Sequence, residues 1–156
     1  MEENMNPHQE SELEALARRI ATEAHRGQVD KLGEAYIGHP ARVAGHARRF
    51  GGDENAAAAA WLHDVIEDCD ITGDELAARG IPHQVLSAVQ LLSKRPGQSL
   101  EEYCLAVKEN PLALLVKRAD LADNTDPART SKLSRQTRER LAAKYARTRK
   151  LLGLDS

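Results

Sequence analysis

Residues 56–70 read "AAAAAWLHDVIEDCD": an apolar run that ends by placing one imidazole and four carboxylates within eight residues. The alanines are strong helix formers, and Trp61, Leu62, Val65 and Ile66 carry the run on with bulk to bury, so the spacing predicts a buried helix. Read as one continuous helix, the segment puts His63 on a stripe with Glu67, and Asp64 on the neighbouring stripe with Asp68. Like charges four residues apart repel, burial makes that worse, and the C-terminal end of a helix disfavours anions. A positive group is therefore expected at this patch. A divalent cation is the economical candidate, with His63 and Asp64 supplying nitrogen and oxygen donors and the other carboxylates handling a water.

Adjacent side chains on a helix project about 100° apart, so further ligands must come from elsewhere in the chain. His39 stands at a loop-to-helix junction directly before Pro40. Asp120 lies in "VKRADLADN", beside the buried face marked by Leu114, Leu115, Ala119 and Ala122, with Asn124 one turn further along its stripe. Asp120 can also simply pair with Lys117 or Arg118, and Asn124 can close its helix.

Outward from this patch the punctuation is helical throughout. Leu13, Leu16, Ala17, Ile20 and Ala24 recur at helical spacing behind Ser11 as N-cap, with a stop near Gly27. "GQVDKLGEAYIGHP" follows as a loop, and Pro40 fits the first turn of a second helix through Val43, Ala44 and Ala47. Thr72 with Glu75 and Ser99 with Glu102 form capping boxes, Pro82 opens another helix, and Asn110-Pro111 starts the helix carrying Asp120. A last helix is expected from Lys132 to Leu152, stopped by Gly153. With no period-two alternation between turns, the fold class is all-α, a single-domain helical bundle over residues 1–156.

Cys69 and Cys104 form no C-x-x-C pattern and read as thiols of a reducing cytoplasm. The polar, acidic opening "MEENMNPHQESE" has no apolar leader, and no stretch approaches a membrane span, so a cytoplasmic location and no membrane partner are expected. The net charge of −2 gives no reason to expect a nucleic-acid partner. The basic stretch from Arg129 to Lys150 lacks the interleaved aromatics of single-strand binders and reads as a solvated face. Oligomeric state is not legible. His25 reads as a structural histidine, His46 and His83 as surface residues, Trp61 as core, and Tyr36 as core or pocket lining.

The order His39, His63-Asp64, Asp120 resembles the H…HD…D signature of the HD-domain phosphohydrolases. The stretches "AHRGQVDKLGEAYIGHPARVA", "AAWLHDVIEDC" and "VKRADLADN" further resemble the hydrolase domain of the RelA/SpoT alarmone enzymes and their small stand-alone relatives, over roughly residues 15–150. The resemblance implies an all-helical hydrolase that binds one manganese ion and removes pyrophosphate from the 3′ position of guanosine tetra- or pentaphosphate. It implies His39, His63, Asp64 and Asp120 as metal ligands, Glu67 and Asp68 as the pair orienting and deprotonating the attacking water, and Lys31 and Asn124 as substrate contacts. The mixed donor set suits manganese or iron over magnesium. Two positions depart from the family. Asp30 stands where an arginine usually packs on the guanine base, and Asp126 where an arginine commonly holds phosphate, with Arg129 able to answer from another direction. These departures leave two alternatives beside the alarmone: an HD phosphohydrolase for a different nucleotide, or a nucleotide-sensing module without turnover.

Overall fold

The computed structural model describes residues 10–154, so most of the acidic opening lies outside the described residues. Helices α1 (Glu12–Ala24), α2 (Gly38–Arg49), α3 (Glu54–Leu62), α4 (Val65–Asp68), α5 (Gly73–Ala78), α6 (His83–Leu92), α7 (Leu100–Lys108), α8 (Pro111–Asn124), α9 (Pro127–Thr130) and α10 (Arg135–Leu152) make an all-α bundle. No strand occurs among the described residues; a single bridge pairs Val29 with Ala35 inside the α1–α2 loop. The sequence-derived starts are sound at Ser11, Ser99 and Asn110, whose side chains accept from Glu14, Glu102 and Ala113 N–H groups. Both capping boxes form, and Gly153 closes α10 at φ 72°, a left-handed angle that glycine adopts without strain. The last helix starts at Arg135 rather than Lys132, because Ser134 caps it by accepting from Thr137 N–H.

α3 is the central post. Ala56 to Leu62 are all buried, and α1, α2, α6 and α8 pack around it. A helix whose whole circumference is covered needs small side chains, and the alanine run lets its neighbours approach closely. α10 returns against α7 and α8 and closes the bundle over one end of the site. Its outer arginines are solvated and partly paired, Arg135 with Glu139 and Arg147 with Glu101. No helix among the described residues is long and apolar enough to cross a membrane.

The expected continuous helix through residues 56–70 is corrected by the structure. α3 stops at Leu62, His63 and Asp64 form a turn, and α4 restarts at Val65. His63 N–H reaches back only three residues, to Ala60 O at 3.5 Å, and Asp64 flattens to φ −106°, ψ −3°. The 100° divergence of helical neighbours is thereby lost, and His63 Nε2 comes to 3.1 Å from Asp64 Oδ2.

One buried carboxylate ties the first three helices together. Glu14, 6% exposed, accepts from Arg48 at 2.6 Å and from Trp61 Nε1–H at 3.0 Å, both on Oε2. Glu14→Ala leaves the indole N–H and a partly buried guanidinium without an acceptor, which costs about 2 kcal/mol. The expected result is a lower urea midpoint with an unchanged slope in equilibrium unfolding; an unchanged midpoint removes the role assigned to Glu14.

Candidate metal centre and active site

Four side chains from three elements meet at one buried point. His39 comes from the first turn of α2, His63 and Asp64 from the α3–α4 turn, and Asp120 from α8. Asp120 Oδ1 lies 2.9 Å from His39 Nε2 and 3.3 Å from His63 Nε2, while Asp64 Oδ2 lies 3.1 Å from His63 Nε2 and 3.8 Å from His39 Nε2. Donor atoms of His39, His63 and Asp120 all fall within 4.8 Å of one another, a spacing at which one ion can touch them all.

The second nitrogen of each imidazole is committed elsewhere. His39 Nδ1 bonds Asp123 Oδ2 at 2.7 Å, and His63 Nδ1 bonds the carbonyl of Ala60 at 2.7 Å. With the acceptors on those sides, the protons sit on Nδ1 and the Nε2 lone pairs face the centre. His63 Nε2 is buried yet makes no well-formed hydrogen bond. An orphaned lone pair among two carboxylates is what a cation would satisfy, so the residues fit a divalent metal.

Charge supports the same reading. Burial disfavours ionisation of Asp64, but the His63 charge beside it holds the carboxyl down to about 2. Asp120 is pulled well below the usual carboxylate range against its burial, chiefly by Lys117, whose Nζ lies 3.0 Å from Oδ2. Burial alone lowers an imidazole, yet the Asp64 charge lifts His63 well above its ordinary value, and the bonds to Asp120 and Asp123 lift His39.

The centre opens on a cavity of about 430 Å³ whose lining includes His39, His63, Asp64, Glu67, Asp120 and Asn124. Glu67 is fixed by the backbone N–H of Lys94 on its Oε1 at 2.7 Å. Asp68 is not part of this lining, and its carboxyl is pushed up by partial burial and by the charges of Asp64 and Glu67. Lys31 lies on the cavity wall in the α1–α2 loop, and Lys94, Lys117, Arg129 and Lys144 add positive charge around it. Asn124 Nδ2 donates to Asp120 Oδ1 at 3.2 Å, and Asp120 pairs with Lys117 through Oδ2 while Oδ1 faces the two imidazoles.

One working residue was not identified from sequence. Asp123, 1% exposed, orients His39 and is held in turn by Arg42 Nε at 2.7 Å. Its position three residues after Asp120, on the same face of the helix, was the available signal. Arg129, read from sequence as able to answer Asp126 from another direction, is joined to Asp30 Oδ2 at 2.9 Å. Asp30 also caps its own loop, accepting from Leu32 and Glu34 N–H groups, and Asp126 caps α9 through Ala128 N–H. Both departures from the family pattern are thus local caps, and Asp30 additionally presents a guanidinium to the cavity.

Comparison with known proteins agrees with this geometry. Residues 17–101 match the HD domain family, a span holding His39, His63, Asp64, Glu67 and Asp68. A guanosine-3′,5′-bis(diphosphate) 3′-pyrophosphohydrolase of Vibrio cholerae is 33% identical over 147 residues, covering 86% of this chain and 20% of that protein. A probable enzyme of the same name from Synechocystis is 31% identical over 137 residues, covering 77% of this chain and 18% of that one. A probable GTP pyrophosphokinase of Mycobacterium leprae is 31% identical, over 80% of this chain and 17% of its own length. The chain therefore spans about a fifth of the length of these curated relatives. The fold is shared with a solved structure described as a metazoan ortholog of SpoT that hydrolyzes ppGpp, at TM-score 0.74 and 22% identity, covering 92% of this chain and 87% of that one. Its helical bundle, its HD dipeptide at His63-Asp64 and the matched span together show that this chain belongs to the HD domain family, whose members carry a divalent metal at such a cluster.

Proposed function

We propose that residues 10–154 act as one domain and hydrolyse guanosine 3′,5′-bis(diphosphate), releasing the 3′-pyrophosphate. The observation that carries this reading is the convergence of four N and O donors beside a cavity whose wall holds Glu67 and several cations. His39, His63, Asp64 and Asp120 would hold the metal, and their mixed donor chemistry favours manganese or iron. When bound, the ion supplies Lewis-acid polarisation of a phosphoryl oxygen and acidifies water.

The rest is done by the chain. Glu67, with Oε1 tied to Lys94 N–H, keeps Oε2 to orient and deprotonate the attacking water. Asp68, whose proton affinity is raised by partial burial and by the charges of Asp64 and Glu67, is suited to take on the proton that Glu67 removes from the water. Lys31, Lys94 and Lys144 neutralise phosphate oxygens, and Arg129, already paired with Asp30, offers the flat face of its guanidinium. Asn124 spends its amide N–H on Asp120 and has its oxygen left for the nucleotide. One water is consumed, one P–O bond breaks, and pyrophosphate leaves.

A second reading, hydrolysis of a different phosphorylated nucleotide, draws on the Arg129 environment. Asp30 and Glu34 both reach its guanidinium, at 2.9 and 3.5 Å, and reduce its pull on phosphate. The sensor reading is disfavoured, because a module that only binds has no use for a fixed carboxylate on the cavity wall beside the metal ligands.

Titration calorimetry with Mn²⁺ tests the centre. Because both imidazoles are raised, they hold protons that metal must expel, so affinity rises as pH climbs past the ordinary imidazole range. Binding at pH 7 should release protons, read by repeating the titration in buffers of different ionisation enthalpy. At 100 times Kd the metal adds about 2.7 kcal/mol of stability, and His63→Ala should abolish both effects. Absence of binding by the native protein sinks the assignment.

Turnover is checked with guanosine tetraphosphate and Mn²⁺. Pyrophosphate release is expected, with Glu67→Gln lowering kcat by about 10²–10⁴-fold while metal affinity stays within a few-fold. Orthophosphate from simple nucleotides, with none from the tetraphosphate, transfers the assignment to the second reading; tight binding without product restores the sensor.

A further inference from the structure

Asp64 is the least supported of the four converging side chains. It sits in the turn between α3 and α4, and its side chain makes no capping hydrogen bond to the helix it precedes. His63 is braced by Ala60, His39 by Asp123, and Asp120 by Lys117 and Asn124. For Asp64 the corresponding brace is Tyr36, whose hydroxyl donates to Oδ2 at 2.5 Å. That oxygen is the one facing His63 and His39 at 3.1 and 3.8 Å.

Tyr36 is itself held on several sides. Its N–H donates to the Gln28 carbonyl at 2.9 Å, next to the Val29–Ala35 bridge that folds the loop back. Its ring packs 4.9 Å from the ring of His25 and 5.7 Å from that of His39. His25, only 2% exposed, bonds the Gln28 side chain through Nδ1 at 2.8 Å. The Gln28 amide then reaches the Asp68 carbonyl at 3.4 Å and Cys69 Sγ at 3.6 Å. His25 and Gln28 thus bracket the loop between the end of α1 and the end of α4.

We propose that Tyr36, bracketed by His25 and Gln28, is the positioning residue that aims the Asp64 carboxylate at the metal centre. Resting on the reading of His39, His63, Asp64 and Asp120 as ligands, the proposal is independent of the nucleotide hydrolysed. A donor on Oδ2 fixes the rotation of the carboxylate, presents one chosen oxygen and leaves the ion free to approach from the cavity side. A phenol ordinarily loses its proton only near about pH 10, so the hydroxyl serves as a donor to the carboxylate at neutral pH. Loss of such an outer hydrogen bond typically weakens metal binding 10- to 100-fold.

Tyr36→Phe removes one oxygen and keeps the ring packing. Manganese chloride is titrated into metal-free native protein, Tyr36→Phe and Tyr145→Phe by calorimetry, and the visible spectrum of each Co²⁺-loaded protein reports ligand geometry. The expected result is a Kd raised about 10- to 100-fold with a changed cobalt spectrum for Tyr36→Phe, and neither for Tyr145→Phe, which lies on the same cavity wall in α10. Melting of the metal-free proteins separates misfolding from mispositioning; should Tyr36→Phe melt early, Gln28→Ala is titrated in its place, with a smaller loss expected. Native metal binding matched by both variants overturns the proposal, and no binding by the native protein overturns it together with the site.

Discussion

Two carboxylates of opposite parentage, Asp64 from a turn and Asp120 from the middle of a helix, are held within reach of the same pair of buried imidazoles. Bringing them together is unfavourable unless positive charge lies between them, and the rest of the structure is arranged around that requirement. Lys117 takes one oxygen of Asp120, Tyr36 binds one of Asp64, and Asp123 turns His39 so that its lone pair faces inward. The two Nε2 atoms are thereby left for an ion to claim.

The alanine post makes this possible. Because Ala56 to Ala60 carry no bulk, α1, α2, α6 and α8 close on α3, and its C-terminal end emerges at the centre of the bundle rather than at its surface. A larger run there would push α2 and α8 outward and carry His39 and Asp120 with them. Glu14 reinforces the same packing from the other side, since Arg48 and Trp61 both bond its carboxylate. The segment that looked like a simple core helix ends in charge because its end is where three elements meet.

Much of this was legible in residue order. Helical period, the two capping boxes, Asn110-Pro111 and Gly153 mark elements through local chemistry that acts over three or four residues, and the structure has them in place. The four converging residues were also legible, though chiefly through likeness of motif, because His39 and Asp120 are 81 residues apart and no local rule links them. The break after Leu62 was hidden. Apolar spacing continues smoothly across His63, and only the competition between one more helical turn and the approach of two other helices decides that the chain should kink. Asp123 escaped for a related reason, as did the partner of Tyr36, whose place on the pocket wall was read: an outer partner is defined by the atom it orients, and that atom's direction is unknown until the backbone is placed.

Asp30 and Arg129 show how such context changes the meaning of a residue. By type, an acid where the family has a base-packing arginine reads as loss of recognition. In the fold, the acid holds an arginine from a position 99 residues onward, so the cavity keeps a guanidinium while its origin moves from the α1–α2 loop to α9. The exchange is not neutral. A guanidinium engaged by Asp30 and Glu34 has part of its charge already answered, whereas Lys31, Lys94 and Lys144 line the same cavity as amines. The cavity wall is thereby divided between a guanidinium at α9 paired with two acids and the amines of the three lysines, so what a cation offers here follows from whether a carboxylate already holds it.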